Sequence, residues 1–167
     1  MFAESGFWLP LLVGAPLVGL ELWYDMRSRG RRLIPELAGA IGIGAVATAI
    51  ALAGGEGSQV AWGLWVVIAA RSLAAVPYVR TQISRTRSKP GPIWHSDLAQ
   101  LAAVSAVALG SVADLVPRGS AIIIAVLAGI NVVTVRTKPR RAVVIGIQQT
   151  VLGLTVIATT AIAIHMA

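Results

Sequence analysis

The chain has 167 residues, 56% hydrophobic and only 13% charged, with a mean hydropathy of +0.79 and a net charge of +7. A soluble domain carries about a quarter charged residues, so too little polar surface remains here to face water on every side. The chain has no cysteine and only two widely separated histidines, His95 and His165; this excludes disulfides, thiolate metal sites and iron–sulfur clusters and leaves no set of ligands for zinc.

Crossing about 30 Å of hydrocarbon takes roughly 20 mostly apolar residues at about 1.5 Å each. Six stretches meet that description: Phe7–Tyr24, Ile34–Gly54, Gln59–Val79, Asp97–Leu115, Gly119–Val135 and Ala142–His165. The fifth is the weakest, being short and carrying Asn131. The expected fold class is therefore all-α: one polytopic membrane bundle of about six transmembrane helices, with short connections joining antiparallel neighbours.

The basic residues are not spread evenly between these stretches. Arg27, Arg29, Arg31 and Arg32 lie in the first connection, Arg80, Arg85, Arg87 and Lys89 in the third, and Arg136, Lys138, Arg140 and Arg141 in the fifth. The second and fourth hold only Arg118. Cytoplasmic loops carry the excess of lysine and arginine, so the odd connections are expected inside and both termini outside. "MFAESGFW" has no basic residue, and it lacks the charged start of a secretory signal. The same clustering between apolar runs argues against a nucleic-acid module, which displays its charge on a folded soluble surface. Trp8, Trp62 and Trp65 fall near one predicted boundary and Trp23, Tyr24, Tyr78 and Trp94 near the other, as interfacial aromatics do. "AGAIGIGAVATA" places small residues four apart, Ala38/Gly42 and Ala40/Gly44, which favours close helix packing.

Arg71 stands out within "VVIAARSLAAVPYVR", nine residues and so about 14 Å from Arg80. An arginine near the bilayer centre costs about 2.5–3.5 kcal/mol on insertion scales unless it meets polar groups or a wet cavity. It reads either as a structural pair or snorkelling side chain, or as a ligand contact. Glu21, Glu36, Asp97, Gln100, Asn131, Gln148 and Gln149 fall at a similar depth on five stretches. The expectation is a polar recess open to the cytoplasm with Arg71 at its floor, and with Asn131, Gln148, Glu36, Glu21 and Tyr78 as candidate ligand-binding residues. Glu36 after Pro35, and Asp97 after Ser96, also read as helix starts. Pro16 and Pro77 each remove a backbone donor, freeing the carbonyls of Leu12 and Leu73. Arg27, Arg29, Arg31, Arg32 and Arg80 are candidates for anionic head groups, beside their role in orientation. Spacings of four make Asp25/Arg29 and Arg32/Glu36 candidate local pairs. There is no phosphate-binding loop, dinucleotide fingerprint, HExxH or GxSxG, and no cytoplasmic connection carries the paired carboxylates that hold Mg²⁺ on a diphosphate.

"RSRGRRLIPELAGAIGIGAVATAIALAGG", "WVVIAARSLAAVPYVR" and "VVIGIQQTVLGL" together resemble the YwiC-like family of bacterial integral membrane proteins, over most of the chain from Arg27 onward. That family is distantly similar to the UbiA-type prenyltransferases, nine-helix enzymes that join isoprenoid diphosphates to aromatic or haem acceptors. The resemblance implies a UbiA-like partial bundle equivalent to the last six helices. It also implies that the chain is short at its N-terminus, as a fragment or one piece of a larger assembly would be. The second Asp-rich motif of UbiA-type enzymes would follow "VPYV", where "RTQISRTRSKPG" has no acid. Fold is therefore implied without activity. The expected role is non-enzymatic: binding a lipid, isoprenoid or quinone, or serving as a membrane subunit in a bacterial cell membrane. A prenyl-transfer component completed by a partner chain and a small transporter are the alternatives.

Overall fold

The computed structural model describes residues 6–30, 32–87 and 92–166; Arg31 and Lys89 lie outside them. Among the described residues every regular element is an α-helix: α1 Leu9–Asp25, α2 Leu33–Gly42, α3 Gly44–Ala53, α4 Ser58–Thr86, α5 Trp94–Val112, α6 Arg118–Thr134 and α7 Ala142–His165. The apolar stretches read from the sequence are these helices, with α2 and α3 forming one rod interrupted at Ile43. There the backbone stays right-handed, but the Val46 N–H bonds the Ile43 carbonyl three residues back, a local tightening of the turn. Trp65 occupies the break. Its indole N–H donates to Ile41 O at 2.8 Å, and its ring lies where a Cβ on Gly44 would fall 2.8 Å away.

Three helix ends depart from expectation, one of them the start of α5, at Trp94 rather than Asp97. α4 runs seven residues past Val79, because its last two turns have work on neighbouring helices: Gln82 donates to Thr134 O at 3.0 Å and Arg85 to Val135 O. These side chains satisfy carbonyls that α6 leaves open at its C-terminus. α5 stops at Val112 rather than Leu115. Asp114 turns left-handed (φ 56°), and the N–H groups of Leu115 and Val116 both fold back onto Gly110 O.

α4 is the axis of the fold. It packs against α2 and α3 on one side and α5, α6 and α7 on the other, while α1 lies on α2 and α3. Among the described helices α7 touches only α4 and α6. The interior has an apolar cluster that includes Val67, Ala70, Val107, Ile124, Leu127 and Val156, and a second around Tyr78, Val135 and Ile145. Small residues on α4 let its neighbours approach, most sharply at Gly63, where a Cβ would stand 1.8 Å from the Leu115 carbonyl oxygen.

The outside of the bundle is apolar too. Leu109, Val112, Ile122, Val143, Ile157 and Ile162 are among many large side chains that are more than half exposed. Leu33–Ala53, Ser58–Thr86 and Ala142–His165 are long and apolar enough to cross a membrane. α1 and α6, with 17 residues each, fall short of the roughly 20 that a perpendicular span needs. An oily exterior of this extent is compatible with a lipid surround.

Candidate functional site

Arg71 projects from the middle of α4 toward α7. Its Nη2 donates to the Gln149 carbonyl at 2.6 Å, and its Nε–H is buried with no partner. The guanidinium lies over Gly153, where an added Cβ would stand 3.5 Å from Nη2. No carboxylate pairs with it: among the described residues the ion pairs are Arg80–Glu36 and Arg136–Asp97, each at 2.8 Å. Arg71 is therefore a cation with one neutral hydrogen bond and a spare donor.

Beside it lies a groove of about 670 Å³ between α4 and α7. Val60, Leu64, Ile68 and Ala75 form one wall, and Val156, Ile157, Ala161 and Ile164 the other. Ser72 lines the side toward α2, where its hydroxyl donates weakly to Ala40 O (3.4 Å). The groove is of ligand size and mostly aliphatic, with the Arg71 guanidinium on its wall and Glu56 and His165 at the far end. It runs from Arg71 toward Glu56 and His165, away from the arginine-rich connections. That corrects the expected recess: the hollow at Arg71 extends to the opposite end, because α7 closes onto α4 and α6 at its Gln148–Gln149 level.

The amides do not line that hollow. Gln100 Nε2 donates to Ala74 O at 2.7 Å, Asn131 Nδ2 contacts Ala74 O and Gln100 Oε1 at 3.4 Å, and Gln149 Nε2 donates to Asn131 Oδ1 at 3.0 Å. Asn131 is fully buried, Gln100 is 2% exposed and Gln149 8%. This is a polar layer that ties α4, α5, α6 and α7 together. Pro77 deprives Leu73 O of its donor, yet the carbonyl that the amides find is the next one, Ala74 O. Gln149, adjacent to the predicted Gln148, shares the buried stripe of α7 with Ile145, Val156 and Thr160, at spacings of four, seven and four that put it on one helical face. Gln148 is turned away from the layer; it receives Arg140 Nη1 at 3.2 Å and lies 3.5 Å from the Tyr78 hydroxyl.

Tyr78 is wholly buried rather than interfacial. Its oxygen accepts from Thr134 Oγ1 at 3.0 Å and Gln82 Nε2 at 3.3 Å. Trp65 likewise packs inside the bundle. A phenol or indole can be buried when its polar edge finds a partner, as each does here. Glu21 lies against α2, its carboxylate covering Gly39. Glu36 bonds Arg80 across helices, in place of the local pair with Arg32. Arg27 stacks on Trp23 with Cζ 3.6 Å from the ring centre, a cation–π contact. Arg29 and Arg32 are exposed, and Arg31 is outside the described residues. Of the ligand candidates, then, only Arg71 faces the groove, while Glu21, Glu36 and Tyr78 each have other structural contacts. Asp97 holds Arg136 through two bonds, at 3.0 and 2.8 Å; those hydrogen bonds, and then the charge of Asp97, raise the Arg136 guanidinium above its ordinary value against a desolvation that lowers it.

Comparison with family models, curated proteins and solved structures finds no match in any of the three.

Proposed function

We propose that this chain is an integral membrane protein that holds an oxygen-bearing amphiphile, of the lipid, isoprenoid or quinone class, in the α4–α7 groove. The observation that carries this reading is Arg71, a guanidinium with no carboxylate partner among the described residues, on the wall of a 670 Å³ apolar groove. A carbonyl or phosphoryl oxygen there would accept a charge-assisted hydrogen bond in a water-poor setting, and the aliphatic walls would take a hydrocarbon tail. The role proposed is binding rather than catalysis.

The same proposal places six spans in a bacterial cell membrane with both termini outside, supported by the arginine asymmetry. It keeps the resemblance to YwiC-like proteins and a UbiA-like half-bundle as its reading of ancestry. α1 and α6 then sit in locally thinned lipid or end at interfacial residues, as short spans do.

The test is retention of lipid-extractable species on protein purified in mild detergent. Arg71→Leu should lower the bound amphiphile at least tenfold, in line with the loss of a charged hydrogen bond of about 1.5–3 kcal/mol. Arg71→Lys should fall between. Gly153→Ala, whose Cβ makes only ordinary contact with the guanidinium, should retain the wild-type amount. Equal retention by Arg71→Leu and wild type sinks the proposal.

A further inference from the structure

A second hollow, of about 710 Å³, lies where the outer ends of α4 and α7 meet the α5–α6 turn. Its lining is more polar than that of the Arg71 groove: Ser111, Asp114 and Arg118 belong to this hollow, while Thr160 lines both. Three features there converge on one chemistry. The first is the N-terminus of α6: the Ser120 and Ala121 N–H groups bond Pro117 O, and those of Arg118 and Gly119, which line the hollow, are the donors that helix geometry leaves over. An oxyanion is favoured at such a place by the free donors and by the helix dipole. The second is Thr160, only 4% exposed, whose hydroxyl has no partner and whose residue lies on the wall that this hollow shares with the Arg71 groove. The third is a pair of opposite charges, Asp114 and Arg118, on the same rim. Neither forms an ion pair with another described residue.

The Asp114 backbone sharpens the point. Its φ of 56° is left-handed, a conformation that glycine, asparagine and aspartate visit most readily. The turn suits an aspartate and holds it at the edge of a cavity, with an unpaired arginine four residues on.

We propose that this hollow is a head-group site for a zwitterionic phospholipid whose phosphodiester carries a primary ammonium. The phosphate lies against Arg118, the first N–H groups of α6 and the Thr160 hydroxyl; the ammonium lies against Asp114. The acyl chains run along Val60, Leu64, Val67 and Ile164, which line both this hollow and the Arg71 groove. The head group sits at the end of the bundle away from the arginine-rich connections. That distinguishes it from an anionic-lipid contact with those loops. The site shares Thr160 and its acyl-chain walls with the Arg71 groove, but its charged contacts, Asp114 and Arg118, do not depend on the role proposed for Arg71.

Native mass spectrometry of the delipidated full chain, titrated with defined lipids of one acyl composition, tests this. Wild type should bind phosphatidylethanolamine at least fivefold more tightly than phosphatidylglycerol, and diacylglycerol at least tenfold more weakly than phosphatidylethanolamine. Asp114→Asn, which suits the left-handed turn, should bring the ethanolamine-to-glycerol ratio near one while phosphatidic acid binding persists. Arg118→Gln should weaken every phosphate-bearing lipid about tenfold, Arg118→Lys should recover most of that, and Thr160→Val should weaken them about threefold. Arg71→Leu should leave the head-group ratio as in wild type. Three outcomes each overturn the proposal: diacylglycerol bound as well as phosphatidylethanolamine, an unchanged ratio in Asp114→Asn with a wild-type melting temperature, or free phosphoethanolamine bound as tightly as the lipid.

Discussion

Gly63→Ala is expected to destabilise the fold by about 3 kcal/mol, the upper part of the range for overpacking. Its new Cβ would lie 1.8 Å from the Leu115 carbonyl oxygen and 2.9 Å from that carbonyl carbon. Both atoms are backbone, so no side chain can rotate out of the way. α4 and the α5–α6 turn must separate, and that turn is pinned by the two N–H bonds onto Gly110 O. The shift would also widen the hollow that Gly63 and Leu115 line. Denaturant unfolding in a mixed detergent measures the effect. Gly129→Ala and Gly146→Ala serve as controls, since nothing lies within 4 Å of either new Cβ; both should gain stability, up to about 1 kcal/mol, from helix propensity alone. A Gly63→Ala midpoint equal to wild type would show that α4 does not approach the turn this closely.

Asn131→Leu should cost about 2 kcal/mol, although it adds hydrocarbon to a buried position in an apolar surround. The substitution removes the acceptor of Gln149 Nε2 and a contact of Gln100 Oε1 at once. Single interhelical hydrogen bonds in membranes average about 0.6 kcal/mol; leaving a buried group unpaired costs about 1–3 kcal/mol. The second figure governs here, because Gln149 Oε1 already has no partner and the amide has nowhere to turn. The double variant Asn131→Leu/Gln149→Leu should therefore lose less than the sum of its two single variants, by about 1 kcal/mol. Strict additivity in that cycle would mean that the two amides do not share a bond in the native protein.

Several features of this arrangement were legible in the residues. The apolar runs marked every helix, and Pro35 and Glu36 marked the start of α2. The end of α5 falls before the expected boundary: "SVADLVPR" carries no glycine and its first proline comes at Pro117, while the turn is made by Asp114 in a left-handed conformation. Gln148 and Gln149 illustrate a finer limit. Adjacent residues on a helix differ by about 100° in direction, so one faces the polar layer and the other faces Arg140 and Tyr78. Phase within α7 favoured Gln149; similarity of type did not distinguish the two.

Tyr78 and Glu36 show why charge and aromaticity alone mislead. Both lie at depths where interfacial residues are common. One is sealed beneath α6 by three polar neighbours, and the other reaches 44 positions along the chain to Arg80. Arg85 and Gln82, which lie in a stretch that looked like a basic loop, close the end of α6 instead. Their role follows from α4 continuing beyond its apolar part, and that continuation is favoured by the carbonyls waiting on a neighbouring helix.

The sequence by itself determined that this chain is helical, which segments are apolar throughout, and how its positive charge is divided between the connections. Those properties depend on each segment's own solvation, summed over neighbours a few residues away. Only the tertiary structure decided which polar groups meet. Arg71 finds the Gln149 carbonyl 78 residues on, and the groove beside it exists because α7 rests on α4 and α6 while leaving α2 and α3 untouched. Such pairings depend on the rotation and tilt of whole helices against one another, which the packing of small residues such as Gly14 and Gly63 settles together.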